Sequence, residues 1–262
     1  MIQYADTLTF VIPFRYDSDM RVRNLNIVLD DLAPLGARAI VLEADTVPHY
    51  ELPERHAHWV EYCFVEDGVP LFYRTHYLNQ LYHMTQTSVI GIWDTDVLAP
   101  HSQIEESLIA INRYGVKQSS PYDGRFMHIP NHLSEAFTKE KVDYTSEEFH
   151  DQCISLIGRP TFGGALLVEK DTYLACGGEN EAFKGWGPED AERVHRMAVM
   201  GHELHRTKGC IYHLHHARGR NSTFWNIESQ IAQQEEFFNI CSMYPDELAQ
   251  YISAKKLAYD LP

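Results

Sequence analysis

Short apolar runs alternate with stretches of helical period along about the first hundred residues of the chain. Buried strands are predicted at residues 8–13, 39–42, 59–65 and 88–93. Apolar side chains recur at helical spacing over about residues 20–35, before Gly36, and again over residues 72–85. Strands that alternate with helices form a mostly parallel sheet with right-handed crossovers. The pattern therefore predicts an α/β fold.

The second half of the chain is less regular. Helices are predicted at residues 102–114, 146–157, 169–176, 190–200, 222–241 and 245–259, and strands at residues 165–168 and 210–216. Ser102 is the predicted N-cap of the first of these helices, and residues 122–125 predict a hairpin-type turn. Because no internal repeat, low-complexity segment or flexible linker interrupts the pattern, we expect residues 1–262 to form one domain with two lobes.

Composition narrows the class of protein. With 44% hydrophobic and 23% charged residues, the chain can bury a sizeable core. A net charge of −15 argues against a nucleic-acid partner and against charge-driven docking on anionic lipid. No apolar run approaches the roughly 18 residues of a membrane helix, and no signal peptide is evident. The five cysteines are scattered, which is typical of reduced core residues in a cytoplasmic protein.

Polar residues follow the predicted parallel strands at their carboxyl ends, where such sheets bind ligands. Arg15, Asp45 and the pair Asp94 and Asp96 all occupy such positions. Two carboxylates one residue apart can share a divalent cation, and the cation can bridge a diphosphate. A lone D-x-D tripeptide more often caps a turn. The position directly after a buried strand leaves both interpretations open.

Candidate functional residues are most concentrated in residues 161–192. A Gly-Gly pair enters a predicted strand, a second pair closes a short helix, and a loop with Trp186 between glycines leads to Glu189 and Asp190. Acids in the first turn suit the helix dipole, so a structural interpretation exists. The glycines and the tryptophan beside the carboxylates favour a sugar-binding site instead.

Three histidines lie within four residues, at His213, His215 and His216. A single histidine near a strand is more often structural than a metal ligand, but a cluster favours a metal site. Strand alternation would put His213 and His215 on one face and His216 on the other, so only one face is expected to meet the ion. A mixed Asp and His shell suits Mn²⁺ better than Ca²⁺.

Arg15 and Arg74 are candidates for neutralising a nucleotide diphosphate, although either could form an ordinary surface ion pair. The chain contains neither G-x-x-x-x-G-K-[ST] nor G-x-G-x-x-G, which counts against P-loop and Rossmann dinucleotide chemistry. It also lacks G-x-S-x-G, so a serine-hydrolase elbow is unsupported.

The motifs together resemble a known family. The order IPFR, FYRTHYLNQL, a strand into DTD, FGGALL, GWGPED and a later histidine-rich strand resembles metal-dependent GT-A glycosyltransferases, over roughly residues 8–221. Within these enzymes, the chain resembles the β-1,4-galactosyltransferase and polypeptide N-acetylgalactosaminyltransferase group. It also resembles bacterial chondroitin-polymerase-like domains. FGG and GWGPED at this spacing are the specific elements, whereas DTD alone is not.

The resemblance implies roles for individual residues. It places on the UDP-sugar donor Pro13, Phe14, Arg15, Glu43, Asp45, Phe72, Arg74, Asn79, Asp94 and Gly164. It places Trp186, Asn180 and Glu189 on the saccharide acceptor, and Asp190 in the position of the general base, with Glu189 beside it as the other acid of the catalytic pair. Asp96 and His216, followed by Asp94 and His213, match the ligands of Mn²⁺ or Mg²⁺.

Two departures from the family pattern concern the acceptor. Ala191 stands where many members have a third acid, and Pro188 stands where they have a glycine.

The resemblance also implies a nucleotide-binding half at about residues 1–100, an acceptor and catalytic half at about residues 101–220 and C-terminal helices at residues 221–262. Without the stem and membrane anchor of the Golgi members, a cytoplasmic enzyme is expected.

The expected activity is transfer of a hexose or N-acetylhexosamine from a UDP-sugar to a saccharide hydroxyl, with inversion at the anomeric carbon. Two alternatives stay open at this point. A metal-dependent nucleotide-sugar phosphohydrolase could use the same Asp and His cluster but has no role for GWGPED. A non-catalytic sugar- or nucleotide-binding domain would need neither the acidic pair Glu189 and Asp190 nor a set of metal ligands.

Overall fold

The structure is a computed structural model that describes residues 4–155, 157–158 and 160–259. Within these residues, the strands are β1 Leu8–Phe14, β2 Arg38–Asp45, β3 Val60–Glu66, β4 Val89–Trp93, β5 Val97–Leu98, β6 Gln118–Ser120, β7 Arg125–His128, β8 Ile154–Ser155, β9 Ala165–Glu169, β10 Leu204–Arg206 and β11 Cys210–His213. The helices are α1 Asp19–Leu32, α2 Arg74–Met84, α3 His101–Tyr114, α4 Asn131–Ala136, α5 Glu147–His150, α6 Lys170–Ala175, α7 Glu189–Val199, α8 Ile227–Ser242 and α9 Pro245–Tyr259.

A seven-stranded sheet forms the centre of the fold, in the order β10-β6-β9-β4-β1-β2-β3. Strands β4, β1, β2 and β3 run parallel, as the alternation of strands and helices predicts. Strand β9 runs antiparallel to both β4 and β6. This direction brings the residues before β9 to the carboxyl end of β4, where Asp94 N–H donates to Gly164 O at 3.0 Å.

The core lies on both faces of this sheet, which explains the continuous apolar runs. Phe10 and Ile12 of β1 face α1 and α3, whereas Val11 between them faces α2 on the opposite side. A central parallel strand covered on both faces has no solvent side, so it shows no polar alternation.

A smaller sheet in the order β5-β11-β7-β8 packs beside the large one. It shows that the predicted hairpin is wrong, because β6 and β7 belong to different sheets and the turn at Gly124 passes between them. It also shortens the predicted helix at residues 146–157 to α5, since the chain continues into β8 and pairs with β7.

Two predicted boundaries also change. Helix α3 begins at His101 with Pro100 as its N-cap, so Ser102 lies inside the first turn and caps nothing. Strand β11 ends at His213, before the predicted end at residue 216, and Leu214 N–H donates to Asp96 O at 2.8 Å in register with the pairing of β5 and β11.

Among the residues that the structure describes, no helix combines the length and apolar character needed to cross a membrane. The division into a nucleotide-binding half, an acceptor half and C-terminal helices stays a prediction.

Candidate active site

A cleft of about 610 Å³ opens at the carboxyl ends of β1 and β4. Its walls are built by the segments that follow β1, β4 and β11, by the Gly163-Gly164 entry to β9, and by the start of α7. These segments are distant in sequence. The ends of the parallel strands β1 and β4 share one edge of the large sheet, the antiparallel β9 begins at that edge, and β11 belongs to the smaller sheet.

Asp96, His213 and His216 form a cluster on one wall of the cleft. Asp96 Oδ1 lies 3.4 Å from His213 Nε2, and Asp96 Oδ2 lies 3.2 Å from His216 Nε2. One ligand atom from each residue lies within 4.8 Å of the others. Strand pairing explains the first contact, because β5 runs beside β11 with Val97 opposite His213.

The expected sharing of faces by the histidines is wrong. His215 points away from Asp96 and places its Nδ1 3.3 Å from His128 Nε2, while His213 and His216 both reach Asp96. Alternation requires a continuous strand, and β11 ends at His213. The turn that follows brings His216 back to the side of His213.

The chemistry of this cluster fits a divalent transition metal. Burial lowers the pKa of His213 to about 4 against the opposing effect of Asp96, so its imidazole is neutral, which is the form that binds a metal. His216 Nδ1 lies 2.8 Å from Ala217 O, and a tautomer that donates to this carbonyl would offer its Nε2 lone pair to an ion beside Asp96. One carboxylate and two imidazoles are a donor set suited to Mn²⁺.

Asp94, the other acid of the D-x-D motif, lies against Arg74 rather than in this cluster. Arg74 Nη2 donates to Asp94 Oδ1 at 2.6 Å, and Arg74 Nη1 reaches Asp190 Oδ1 at 3.3 Å. Arg74 therefore links the strand end that carries the D-x-D motif to the acidic start of α7.

Asp190 is held by two guanidinium groups through a single oxygen. Arg193 Nη1 donates to the same Oδ1 at 2.9 Å, and a Cβ added at Gly163 would lie only 2.4 Å from the other oxygen, Oδ2. Burial disfavours the ionised form of Asp190, but Arg74 and Arg193 outweigh it and lower its pKa. Asp190 is thus an ionised carboxylate with one oriented oxygen beside the glycine pair.

Glu189 differs from its neighbour. It is 5% exposed, lines the cleft, and its Oε2 has no hydrogen-bond partner in the described part of the chain. Burial, reinforced by the Asp190 carboxylate, raises the pKa of Glu189 to about 8. At neutral pH the pair therefore carries one negative charge, on Asp190, while Glu189 is protonated, and this difference separates their chemical roles.

The other residues that the resemblance places on the ligands divide into two groups. Seven of them line the cleft: Pro13, Arg15, Phe72, Arg74, Asp94, Gly164 and Trp186. Five of them do not line it: Phe14, Glu43, Asp45, Asn79 and Asn180.

The residues outside the cleft have internal partners. Phe14 is buried against Tyr50, and Asp45 accepts from Thr46 N–H at 2.7 Å. Glu43 accepts hydrogen bonds from the amides of His49 and Tyr50 and from the Tyr62 hydroxyl. Asn79 donates to Glu179 O and to the Glu181 carboxylate, and Asn180 donates to the Glu236 carboxylate. These side chains are engaged with partners outside the cleft, and their roles toward a ligand stay predictions.

Arg15 lines the cleft, but its donors are largely used inside the protein. Its Nε and Nη1 donate to the carbonyls of Ala44 and Val69 at 2.6 and 2.7 Å, and its Nη2 pairs with Asp67. The guanidinium lies 5.2 Å from the centre of the Phe72 ring. Arg15 therefore fixes Phe72 and the edge of the β1–β2 region.

Sequence reasoning missed Arg21, which joins the metal-type cluster. Arg21 Nη1 lies 3.2 Å from Asp96 Oδ2 and 3.0 Å from Thr95 Oγ1, and its Nε pairs with Asp17 at 2.9 Å. Its position within α1 gives no signal in the sequence, because a helix-face arginine is ordinarily a solvated charge. Gly163 stands out in the sequence only as part of a glycine pair, which gives no signal of its contact with Asp190.

Part of this chain is similar to known galactosyltransferases. Residues 131–218 match the family model described as the N-terminal domain of galactosyltransferase. Beta-1,4-galactosyltransferase 7 from Mus musculus and from Homo sapiens are each 33% identical to this chain over 81 residues, which cover 30% of this chain and 25% of each relative. The chain thus spans about a quarter of the length of the curated relatives it matches.

Two solved structures share the fold over most of this chain. The catalytic domain of Drosophila beta1,4galactosyltransferase 7, in complex with xylobiose, aligns with a TM-score of 0.50 at 17% identity and covers 92% of this chain and 83% of its own. The structure of GalNAc-T7 with UDP, GalNAc and Mn²⁺ aligns with a TM-score of 0.57 at 13% identity and covers 98% of this chain and 51% of its own. The fold is therefore that of the GT-A glycosyltransferases, and the resemblance predicted from the sequence is confirmed.

Proposed function

We propose that this protein is a metal-dependent inverting glycosyltransferase that moves a hexose or N-acetylhexosamine, of galactose or GalNAc type, from a UDP-sugar to a saccharide hydroxyl. One observation carries the proposal: the Asp96, His213 and His216 cluster and the Glu189 and Asp190 pair line the same cleft. The UDP, GalNAc and Mn²⁺ in the GalNAc-T7 structure and the xylobiose in the Drosophila structure support it.

The donor side is the wall that carries the metal-type cluster. Asp96, His213 and His216 would hold Mn²⁺ or Mg²⁺, and a bound ion supplies positive charge that stabilises a leaving diphosphate. Arg74 lies between this wall and α7 and adds a fixed positive charge to the cleft. Pro13 and Phe72 line the cleft nearby and suit contact with the nucleotide.

The acceptor side is the wall that begins at Trp186. Trp186 is 45% exposed and offers an aromatic ring to a sugar. Asp190 Oδ2 takes the proton from the attacking hydroxyl, while Arg74 and Arg193 hold Oδ1 and keep the carboxylate in one orientation. A base of this kind contributes about 10²–10⁴-fold to the rate.

Glu189 complements this base as a hydrogen-bond donor. Because its pKa is raised to about 8, Glu189 is protonated at neutral pH and has a proton to donate to a sugar hydroxyl. A carboxyl buried without a partner costs stability, and a bound sugar would satisfy it.

The test is a screen of UDP-sugars with Mn²⁺ that measures UDP release with and without a panel of saccharides. We expect release that depends on one donor and rises with an acceptor. In the Asp190→Asn variant, transfer should fall by about 10²-fold or more, while calorimetry with UDP and Mn²⁺ shows unchanged affinity. Equal loss of transfer and UDP binding would make Asp190 structural, and cleavage of the diphosphate itself without any saccharide would indicate a phosphohydrolase.

A further inference from the structure

Helix α8 lies beyond the segment that matches the galactosyltransferase family model, yet it reaches the cleft. Phe237, in the second half of this helix, lines the same cleft as Trp186 and Asp190. Residues 131–218 of the family match end before α8 begins at Ile227. The family match therefore does not cover α8.

Gln233 of α8 lies directly beneath the loop that carries Trp186. It is 2% exposed, and its Nε2 donates to Lys184 O at 2.9 Å and to Ser229 Oγ at 3.1 Å. Its Oε1 lies against the far end of the loop, where a Cβ added at Gly187 would lie 1.7 Å away. One side chain thus touches the loop on both sides of Trp186.

Trp186 has a second support, from the segment that leads into α8. The ring of Phe224 packs edge-on against Trp186, with the ring centres 5.0 Å apart. Trp186 nevertheless keeps nearly half of its surface exposed beside the cleft. A large apolar surface that is held in place but left uncovered is suited to binding a ligand.

Phe237 of α8 and Ala191 of α7 contribute uncharged surface to the cleft. Both residues line the cleft, and the ring of Phe237 is braced by His195, with ring centres 6.5 Å apart. Elsewhere the cleft carries charged groups such as Arg74 and Asp94 as well as apolar ones such as Phe162. A carbon-rich face of a sugar, or a methyl group on it, matches the Phe237 ring, whereas a charged substituent would lose its hydration there.

We propose that α8 completes the acceptor side of the cleft. Phe237 is a specificity-determining residue that packs against the apolar face of the acceptor saccharide, and Gln233 is a positioning residue that acts through Trp186. The inference rests on the proposed function, because it assigns the Trp186 side of the cleft to the acceptor.

The experiment compares Phe237→Ala, Phe237→Leu and Gln233→Met with the wild type, using the donor and acceptor that give the strongest signal in the UDP-sugar screen. Gln234→Ala, a change at the exposed neighbouring position of the same helix, is the matched control. The readouts are KM for the acceptor, KM for the donor, kcat, and UDP release without an acceptor. Thermal unfolding checks that each variant is folded.

We expect the acceptor KM to rise about tenfold in Phe237→Ala, less in Phe237→Leu, and about tenfold in Gln233→Met. The donor KM should stay within about twofold in all three, and Gln234→Ala should match the wild type. Methionine keeps the length of Gln233 but cannot donate to Lys184 O, so its effect isolates the hydrogen bond. If Gln233→Met does not fold, the Phe237 pair still decides the question.

The failures of the two proposals are distinguishable. Suppose that the wild-type protein transfers sugar. If the Phe237 and Gln233 variants then keep its acceptor KM, or lose donor and acceptor affinity equally, the inference is overturned and the proposed function stands. A wild-type protein that releases UDP from no UDP-sugar overturns both.

Discussion

Gly163 controls the position of the proposed base, which makes Gly163→Ala a sharp test of the mechanism. A Cβ at this position would lie 2.4 Å from Asp190 Oδ2, whereas ordinary van der Waals contact begins at 3.4 Å. Gly163 is not among the glycines with positive φ, so the backbone accepts alanine without strain. The substitution therefore acts through a single contact and changes no charge.

The size of the effect follows from this overlap. To restore ordinary contact, Asp190 Oδ2 must move by about 1 Å, and a misplacement of about 1 Å costs about 10²-fold in rate. Moving the whole carboxylate would also strain its bonds to Arg74 and Arg193 through Oδ1. We therefore expect kcat to fall about 10²-fold, equivalent to about 2.7 kcal/mol of transition-state stabilisation.

The assay is steady-state transfer with the donor and acceptor found in the screen, with calorimetry for UDP and Mn²⁺. Overpacking costs about 1–3 kcal/mol of folding stability, so thermal unfolding must show that the variant is folded at the assay temperature. Gly158→Ala is the control, because a Cβ there meets nothing within 4 Å. A folded Gly163→Ala protein with wild-type kcat would refute the assignment of Asp190 Oδ2 as the proton acceptor.

Three further predictions follow from the same geometry. Asp96→Asn removes the anionic ligand of the metal-type cluster, so Mn²⁺ should bind about 100-fold more weakly in a titration followed by electron paramagnetic resonance, and unchanged affinity would place the ion elsewhere. Glu189 has a pKa raised from 4.5 to about 8, so the folded state binds more protons than the unfolded state in this window and urea stability should fall as pH rises through it. Glu189→Gln should lack that fall, and parallel pH profiles would contradict the assignment. Arg193→Met leaves the Glu179 carboxylate buried without its two-pronged partner, which should cost about 3–5 kcal/mol in urea unfolding, and a loss below about 1 kcal/mol would show that the pair is not stabilising.

The order of strands and helices could be predicted because it depends on neighbouring residues. The apolar run of β1 and the helical spacing of α1 report burial within one element, and each ends at a local signal such as Gly36. The position of Asp96 after a buried strand, and of Asp190 at the start of α7, is likewise readable from the chain, since a strand end and a helix start are local features.

The composition of the site could not be predicted in the same way. Glu43 and Asp45 follow the same kind of strand as Asp96, yet the structure gives them internal partners, because the residues that satisfy Glu43 belong to the loop after β2 and to β3. His216 joins His213 only because β11 ends early and the chain turns back, an event set by the pairing of β5 and β11.

The sequence by itself determined the α/β alternation, the resemblance to GT-A glycosyltransferases and the acids at the strand and helix ends. The tertiary structure decided which polar groups face the cleft and which are satisfied internally. It also revealed residues such as Arg21, Gly163 and Gln233, whose roles consist of contacts with residues far along the chain. Periodicity and motifs record local requirements, whereas hydrogen-bond and packing partners depend on how distant segments meet, so only the folded chain could specify them.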